Sequence, residues 1–255
     1  MRFEGKTVMV TGAGTGYGAE IAARAAEEGA SVVVHYRSSK EGAEQTAERV
    51  RAAGGEAFLV QGDIAAGWDE IKRMADDAFA AAGRIDALIN NVGDMAADQT
   101  SWRELTEESI DHVLAVDIKG TMLMTHEFGM RMIDQGGGSI TNIGSTVIVR
   151  GSARAPQYAA GKYGVLGITK SYAAALAPTV RVNTFAPGFM QTERILNRAD
   201  WKAGRGEKLV AATPMGRIPP PEDMAGAALF LSTDDAAHMT GVYMVADGGY
   251  NMIGA

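Results

Sequence analysis

Tyr158 and Lys162 stand four residues apart in the run Tyr-Ala-Ala-Gly-Lys, Ser145 lies thirteen residues upstream, and a glycine-rich turn, Thr11-Gly12-Ala13-Gly14-Thr15-Gly16-Tyr17-Gly18, opens the same chain. On a helix, positions i and i+4 share a face, so a lysine ammonium sits beside a tyrosine hydroxyl and favours its ionised form. A free phenol titrates near pH ~10, and each unit of lowering corresponds to about 1.4 kcal/mol of preferential stabilisation of the phenolate. A phenol so placed can give and take a proton at neutral pH. With a phosphate-binding turn in the same chain, the chemistry expected is hydride exchange between a carbonyl and an alcohol.

The elements that must position these groups alternate along the chain. Strand-like runs at Thr7–Thr11, Ser31–Tyr36, Glu56–Gln61, Asp86–Asn90, Ser139–Ile143, Val180–Phe185 and Val242–Val245 are separated by alanine-rich helical segments. The helices are expected over Tyr17–Glu28, Lys40–Ala53, Asp69–Ala82, Glu107–Asp134 and Pro156–Ala177. This alternation predicts an α/β fold, a single-domain, doubly wound, seven-stranded parallel sheet with helices on both faces. Residues 1–255 are expected to form one domain, with 189–218 as an irregular insertion that acts as a substrate lid.

The glycine turn follows the first strand and opens a helix, the context a phosphate-binding turn requires. Gly12, Gly14, Thr15, Gly16, Tyr17 and Gly18 are its cofactor-binding candidates, although a register beginning at Gly14 also fits Gly-x-Gly-x-x-Ala. After the second strand, where an acid usually receives the adenosine ribose, the chain reads His35-Tyr36-Arg37-Ser38-Ser39. No acid is there to repel a 2′-phosphate, Arg37 can grip it in a fork and the serines can donate to it, so NADP(H) is expected over NAD(H). Asp63 and Ile64 after the third strand, and Asn90, Asn91, Val92 and Gly93 after the fourth, lie at strand carboxyl ends where ligands bind in this architecture.

Taken in order, these pieces resemble the short-chain dehydrogenase/reductase family over nearly the whole chain. The resemblance rests on Thr11, Gly12, Gly16 and Gly18; Asp63; Asn90-Asn91-x-Gly93; Ser145; Tyr158-x-x-x-Lys162; Arg181-Val-Asn-Thr-Phe-Ala-Pro187-Gly188 with Thr192; Pro221-Glu-Asp-Met-Ala225; and Asp247-Gly-Gly249. It implies that Tyr158 is the general acid in reduction and the base in oxidation, and that Ser145 holds the reacting oxygen. It further implies that Lys162 lowers the tyrosine pKa and contacts the nicotinamide ribose, with Pro187, Gly188, Met190 and Thr192 on the carboxamide side.

Two positions depart from the family pattern. Asp117, in Val116-Asp-Ile-Lys-Gly120, stands where an asparagine commonly supports a proton relay behind the lysine. Aspartate preserves the relay if the backbone carbonyl holds the water; it does not if a side-chain amide donor is needed, because an ionised carboxylate only accepts. An acid there can also keep Lys162 charged. Tyr17 replaces a smaller aliphatic residue and packs beside the cofactor, narrows the substrate mouth or braces the helix start.

The substrate walls are expected from Asp94–Ser101, Thr146–Gln157 and Phe189–Ile218, with Met95, Ser145, Val147, Arg154, Tyr158 and Phe189 as candidate contacts. The pattern is most like the 3-oxoacyl-carrier-protein reductase group, which makes a ketone or secondary alcohol the expected small-molecule substrate. Arg131 and Lys170 offer a small landing patch for an acyl carrier protein. An NAD-dependent alcohol or polyol dehydrogenase, and a dinucleotide sensor without turnover, are the alternatives. The resemblance also implies a homotetramer paired through Glu107–Asp134 and Pro156–Ala177.

Composition narrows the classes further. The net charge is −7, so general nucleic-acid binding, which needs a clustered basic surface, is not expected. There is no cysteine, and the four histidines lack ligand spacing, so neither a disulfide framework nor a metal centre is expected. Met1–Lys6 runs straight into a strand and no apolar run approaches ~20 residues, so no signal peptide or membrane span is expected, and the cytoplasm is the expected compartment.

Overall fold

The computed structural model describes residues 1–94 and 101–252. Seven strands, β1 (Thr7–Val10), β2 (Ser31–Tyr36), β3 (Ala57–Gln61), β4 (Ala87–Asn90), β5 (Gly138–Ile143), β6 (Val180–Pro187) and β7 (Tyr243–Ala246), form one sheet. The order is β3-β2-β1-β4-β5-β6-β7 and all pairings are parallel. The chain winds outward in both directions from β1 and β4, so the crevice beyond their carboxyl ends is the switch point where this architecture binds ligands.

Period-two side-chain direction builds two cores from the central strands. Val8, Val10, Val32, Val34 and Ile89 face α1 (Gly16–Glu27) and α10 (Pro221–Phe230), while Met9, Val33 and Leu88 face the opposite layer. That layer is α3 (Trp68–Ala82), α5 (Thr121–Asp134) and α7 (Pro156–Ala175), contributing Met74, Phe128, Met132 and Ala173. Burial on both faces explains why these strands are continuous apolar runs. Helix α2 (Lys40–Ala52) covers β2 and β3.

Two expected elements are built differently. The helix expected over Glu107–Asp134 is divided into α4 (Glu107–Val113), a π-helical turn (Leu114–Gly120) and α5. The neighbours there press close: a Cβ on Gly120 would lie 3.0 Å from Ile64, and one on Gly161 of α7 would lie 2.7 Å from Val113 Cγ1. The π turn carries Asp117 into the interior, where it is 1 % exposed. Segment 189–218 is not irregular throughout: it contains α8 (Glu193–Leu196), a kinked π-type turn (Trp201–Arg205) and α9 (Gly206–Ala212). The remaining short helix, α6 (Val147–Arg150), lies between Ser145 and α7.

Candidate active site

The glycine turn is held from below by a histidine. His35 is fully buried on β2; Gly12 N–H donates to its Nδ1 (3.1 Å), and its Nε2 lies 3.1 Å from Gly62 O. Because a peptide N–H can only donate, Nδ1 is the acceptor, so the proton sits on Nε2 and is given to Gly62 O. Burial pushes the imidazole down to about 4, so at neutral pH it is an uncharged strut between the turn and the end of β3. Thr11 completes the scaffold: its Oγ1 accepts from Asn91 N and Val92 N, and its carbonyl accepts from Asn91 Nδ2. Gly12 itself is at φ +64°, and a Cβ there would sit 2.9 Å from Val92 Cγ2.

Above this scaffold is a cavity of about 350 Å3 lined by Gly12, Thr15, Tyr36, Arg37, Ser38, Asp63, Ile64, Val92 and Gly93, together with Ser39, Asp94, His112 and Arg194. Gly14, Gly16 and Gly18 carry the turn into α1, whose first turn has no acidic residue and whose unpaired N-terminal amides suit an anion. Arg37 is exposed and lies 3.5 Å from Asp63 Oδ2. A small-residue cradle at a helix N-terminus, with two guanidiniums and two serines at its edge, fits a nicotinamide dinucleotide. Such a cofactor, when bound, exchanges hydride with the substrate carbon.

Three candidate cofactor residues have side chains that serve the scaffold. Tyr17 is buried in the α1–α10 core and its hydroxyl donates to Met224 O (3.0 Å); burial pushes this phenol up, so it stays a neutral donor. It braces the helix start and does not line the cavity. Asn90 directs its amide to Asn142 Oδ1 (2.8 Å) and Thr125 Oγ1 (3.2 Å) inside the β4–β5–α5 core. Asn91 ties β4 to the glycine turn. At the end of β6, Gly188 N–H donates to Ala246 O, and Thr192 caps α8 by accepting from Ile195 N (3.3 Å); Pro187 and Met190 flank this turn.

Tyr158, Lys162 and Asp117 come together next to Gly93 of that cavity. Helix α7 buries Tyr158 and Lys162, and Lys162 Nζ lies 5.8 Å from the Tyr158 ring centroid and 2.6 Å from Asp117 Oδ1. Asp117 Oδ2 accepts from Asp94 N (2.8 Å), which anchors the carboxylate to the segment following β4. Burial opposes the ammonium charge, but Asp117, with Tyr158 and Asp94 adding to it, outweighs burial and raises Lys162 above the usual lysine range. Gly93 abuts this pair: a Cβ there would lie 2.6 Å from Lys162 Nζ.

Ser145 is positioned by its neighbours. Tyr243 donates its hydroxyl to Ser145 O (2.7 Å), and burial pushes that phenol up and keeps it a donor; Ser145 Oγ accepts from Val147 N (3.2 Å). Val147 packs against the cluster of Val113, Ala155 and Tyr158, so this substrate candidate is brought beside Tyr158. Tyr163 OH donates to Ile148 O, and Arg150 donates to Tyr250 O while stacking on its ring. Phe189 stacks edge-on against Tyr250, linking segment 189–218 to α6. Met95 lies outside the described residues. Arg131 is already answered by Glu127 and Asp76, which weakens the basic patch expected with Lys170.

His35, Tyr243 and Arg194 were not singled out for these positions by residue spacing. A lone histidine on a strand, a tyrosine opening the last strand, and an arginine among several in a loop carry no local pattern; only tertiary pairing distinguishes them.

A parallel sheet whose β1/β4 switch point faces a glycine turn, with a buried tyrosine–lysine pair alongside, defines a dinucleotide-binding α/β oxidoreductase. The family model described as enoyl-(acyl carrier protein) reductase matches residues 12–251. The D-threitol dehydrogenase of Mycolicibacterium smegmatis is 37 % identical over 255 residues, covering 98 % of this chain and 95 % of its own. The 3-oxoacyl-acyl-carrier-protein reductase of Staphylococcus epidermidis is 34 % identical over 248 residues, covering 97 % and 99 %. Among solved structures, 7α-hydroxysteroid dehydrogenase complexed with NADH and 7-oxoglycochenodeoxycholic acid superposes with a TM-score of 0.88 at 28 % identity, covering 97 % of this chain and 95 % of that one. The chain belongs to the short-chain dehydrogenase/reductase family and is an NAD(P)-dependent enzyme acting on CH–OH/C=O groups. Among the described residues, no helix is long and apolar enough to cross a membrane.

Proposed function

We propose that this enzyme is an NADPH-dependent reductase of a ketone, reversible to oxidation of the secondary alcohol, with Tyr158 as the general acid/base. The observation that carries the reading is the buried Asp117–Lys162 pair at 2.6 Å beneath Tyr158, beside the glycine-turn cavity. In reduction the carbonyl carbon receives hydride and the carbonyl oxygen receives the Tyr158 proton, with the Ser145 hydroxyl donating to the same oxygen. The Lys162 charge stabilises the phenolate left behind, which is reprotonated from solvent. Asp117 fixes that charge in place and holds Lys162 as a donor toward the nicotinamide ribose.

Arg37, Ser38 and Ser39 take the 2′-phosphate, and Asp63, Ile64, Val92 and Gly93 the adenosine side. Pro187, Gly188, Met190 and Thr192 take the carboxamide. Segment 189–218 serves as the lid, and Met95, Val147, Arg154 and Phe189 line the substrate. A homotetramer pairs α4–α5 and α7, where Ile110, Leu114, Met122 and Tyr163 are exposed. The cytoplasm is the proposed compartment.

The second reading, an NAD-dependent polyol dehydrogenase, is favoured by the name of the threitol relative. Parallel assays with NADPH and NADH over ketones, β-ketoacyl thioesters and polyols decide between them. Tyrosine-dependent oxidation of NADPH supports the reductase, and NAD+ reduction by polyols alone supports the alternative. Cofactor binding without turnover in either direction indicates a sensor.

A further inference from the structure

Arg194 enters the cofactor cavity from the side of β6, whereas the glycine turn bounds that cavity from the side of β1. The chain leaves β6 at Pro187, and Gln191 N then donates to Pro219 O (2.9 Å), which pins the base of segment 189–218. Helix α8 begins directly beyond this tie, with Thr192 as its cap. Arg194 lies in α8 and lines the same cavity as Gly12, Thr15, Val92 and Gly93.

The guanidinium is uncommitted. The other charged side chains of the cavity wall answer one another: Arg37 lies 3.5 Å from Asp63 Oδ2, and His112 Nε2 lies 3.9 Å from Asp94 Oδ2. The other arginines of segment 189–218 are likewise engaged, Arg198 and Arg205 with Asp200 and Arg217 with Asp223. Arg194 is exposed, and among the described residues it has neither a hydrogen-bond nor an ion-pair partner. Such a group in a cavity wall is a ready fork for phosphate oxygens.

Sheet order decides which phosphate. Arg37 follows β2 and Arg194 follows β6, and in the order β3-β2-β1-β4-β5-β6-β7 these strands are four spacings apart. At ~4.8 Å per spacing the separation is about 19 Å, so the two guanidiniums address different parts of an extended ligand. Arg37 sits with Ser38, Ser39 and Asp63 at the end assigned to the adenosine. The glycine turn and the start of α1 lie between the two arginines, and Thr15, the N-cap of α1, makes no side-chain hydrogen bond to that helix. A pyrophosphate bridge held at these amides is doubly charged, and Arg194 faces it from the β6 side.

We propose that Arg194 receives the pyrophosphate bridge of the dinucleotide and so ties segment 189–218 to the bound cofactor. The inference rests on the oxidoreductase reading above and adds a cofactor contact to it. Arg194 acts on affinity for both nicotinamide cofactors alike; it reads neither the 2′-phosphate, which falls to Arg37, nor the nicotinamide ring.

Fluorescence titration of NADPH and NADH, with ADP-ribose as a displacing ligand, tests the assignment in wild type, Arg194→Ala and Arg194→Lys. Because the side chain is exposed and has no partner among the described residues, its replacement removes no described contact of the fold. A charged hydrogen bond to phosphate corresponds to about 10- to 100-fold in affinity. Arg194→Ala should weaken all three ligands by that factor and leave the NADPH/NADH ratio unchanged. Arg194→Lys should recover part of the loss, since an ammonium keeps the charge without the fork. Wild-type affinities in Arg194→Ala overturn the proposal. So does a loss confined to NADPH, which puts the arginine at the 2′-phosphate, or a loss that spares ADP-ribose, which puts it at the nicotinamide. Each of these results leaves the oxidoreductase reading standing; failure of the wild type to bind either cofactor removes both.

Discussion

Asp117 Oδ1 lies 2.6 Å from Lys162 Nζ, and the two side chains are 1 % and 4 % exposed. A buried ammonium without a counter-charge is costly, and removing one member of such a pair typically costs about 3–5 kcal/mol. Asp117→Ala should therefore lower the melting temperature markedly. Asp117→Asn should fold, because the amide can still accept from Asp94 N through its oxygen. Without the opposing charge, Lys162 should titrate lower, so the alkaline limb of the kcat/KM profile should move to lower pH. Superimposable profiles and rates for wild type and Asp117→Asn would remove any special role for the acid. In the wild type the pair's stabilisation is present below the ordinary lysine value of 10.5 and lost only as pH rises through the elevated folded value.

His35 gives the opposite dependence. Its unfolded value is near 6.5 and its folded value about 4, so the unfolded chain takes the proton first on acidification. Stability contributed by the neutral strut is whole above 6.5 and declines toward 4; the 2.5-unit gap corresponds to about 3 kcal/mol. Denaturant midpoints measured across that window should fall for the wild type and flatten in His35→Gln. The same variant should weaken NADPH binding at neutral pH, since it disturbs the acceptor for Gly12 N–H. An unchanged slope in the variant would assign the acid sensitivity to other groups.

Much of this arrangement was readable from residue order. The continuous apolar strands, the glycine turn at a strand–helix junction and the Tyr158–Lys162 spacing each follow from local periodicity, and the structure builds all seven expected strands to within a residue or two at most ends. The π turn around Asp117 was not readable, because it answers contacts from Ile64 and α7 that are distant in sequence. Nor was the direction of Tyr17, whose hydroxyl bonds Met224 more than two hundred residues away. Segment 189–218 looked irregular because its helices are short and its π-type turn contains Gly204 at φ +94°. Residue type marks which groups can do chemistry; long-range packing decides which way they face.

Arg37 sits at the rim of the glycine-turn cavity with Ser38 and Ser39. Arg37→Ala should lower the preference for NADPH over NADH by about 10- to 100-fold, the scale of one charged hydrogen bond, with NADH binding little changed. Competitive fluorescence titration of both cofactors measures this directly. An unaltered ratio would show that Arg37 does not read the 2′-phosphate; its neighbour Asp63 at 3.5 Å would then be its functional partner.

The central claim is that the Tyr158 hydroxyl moves the proton. Single-turnover oxidation of NADPH should be measured for wild type and Tyr158→Phe with the best ketone of the panel, alongside NADPH affinity for each. A positioned general acid contributes about 10²- to 10⁴-fold, so the variant should lose that factor in the chemical step while its NADPH affinity stays within a few-fold. Wild-type turnover in Tyr158→Phe would contradict the account.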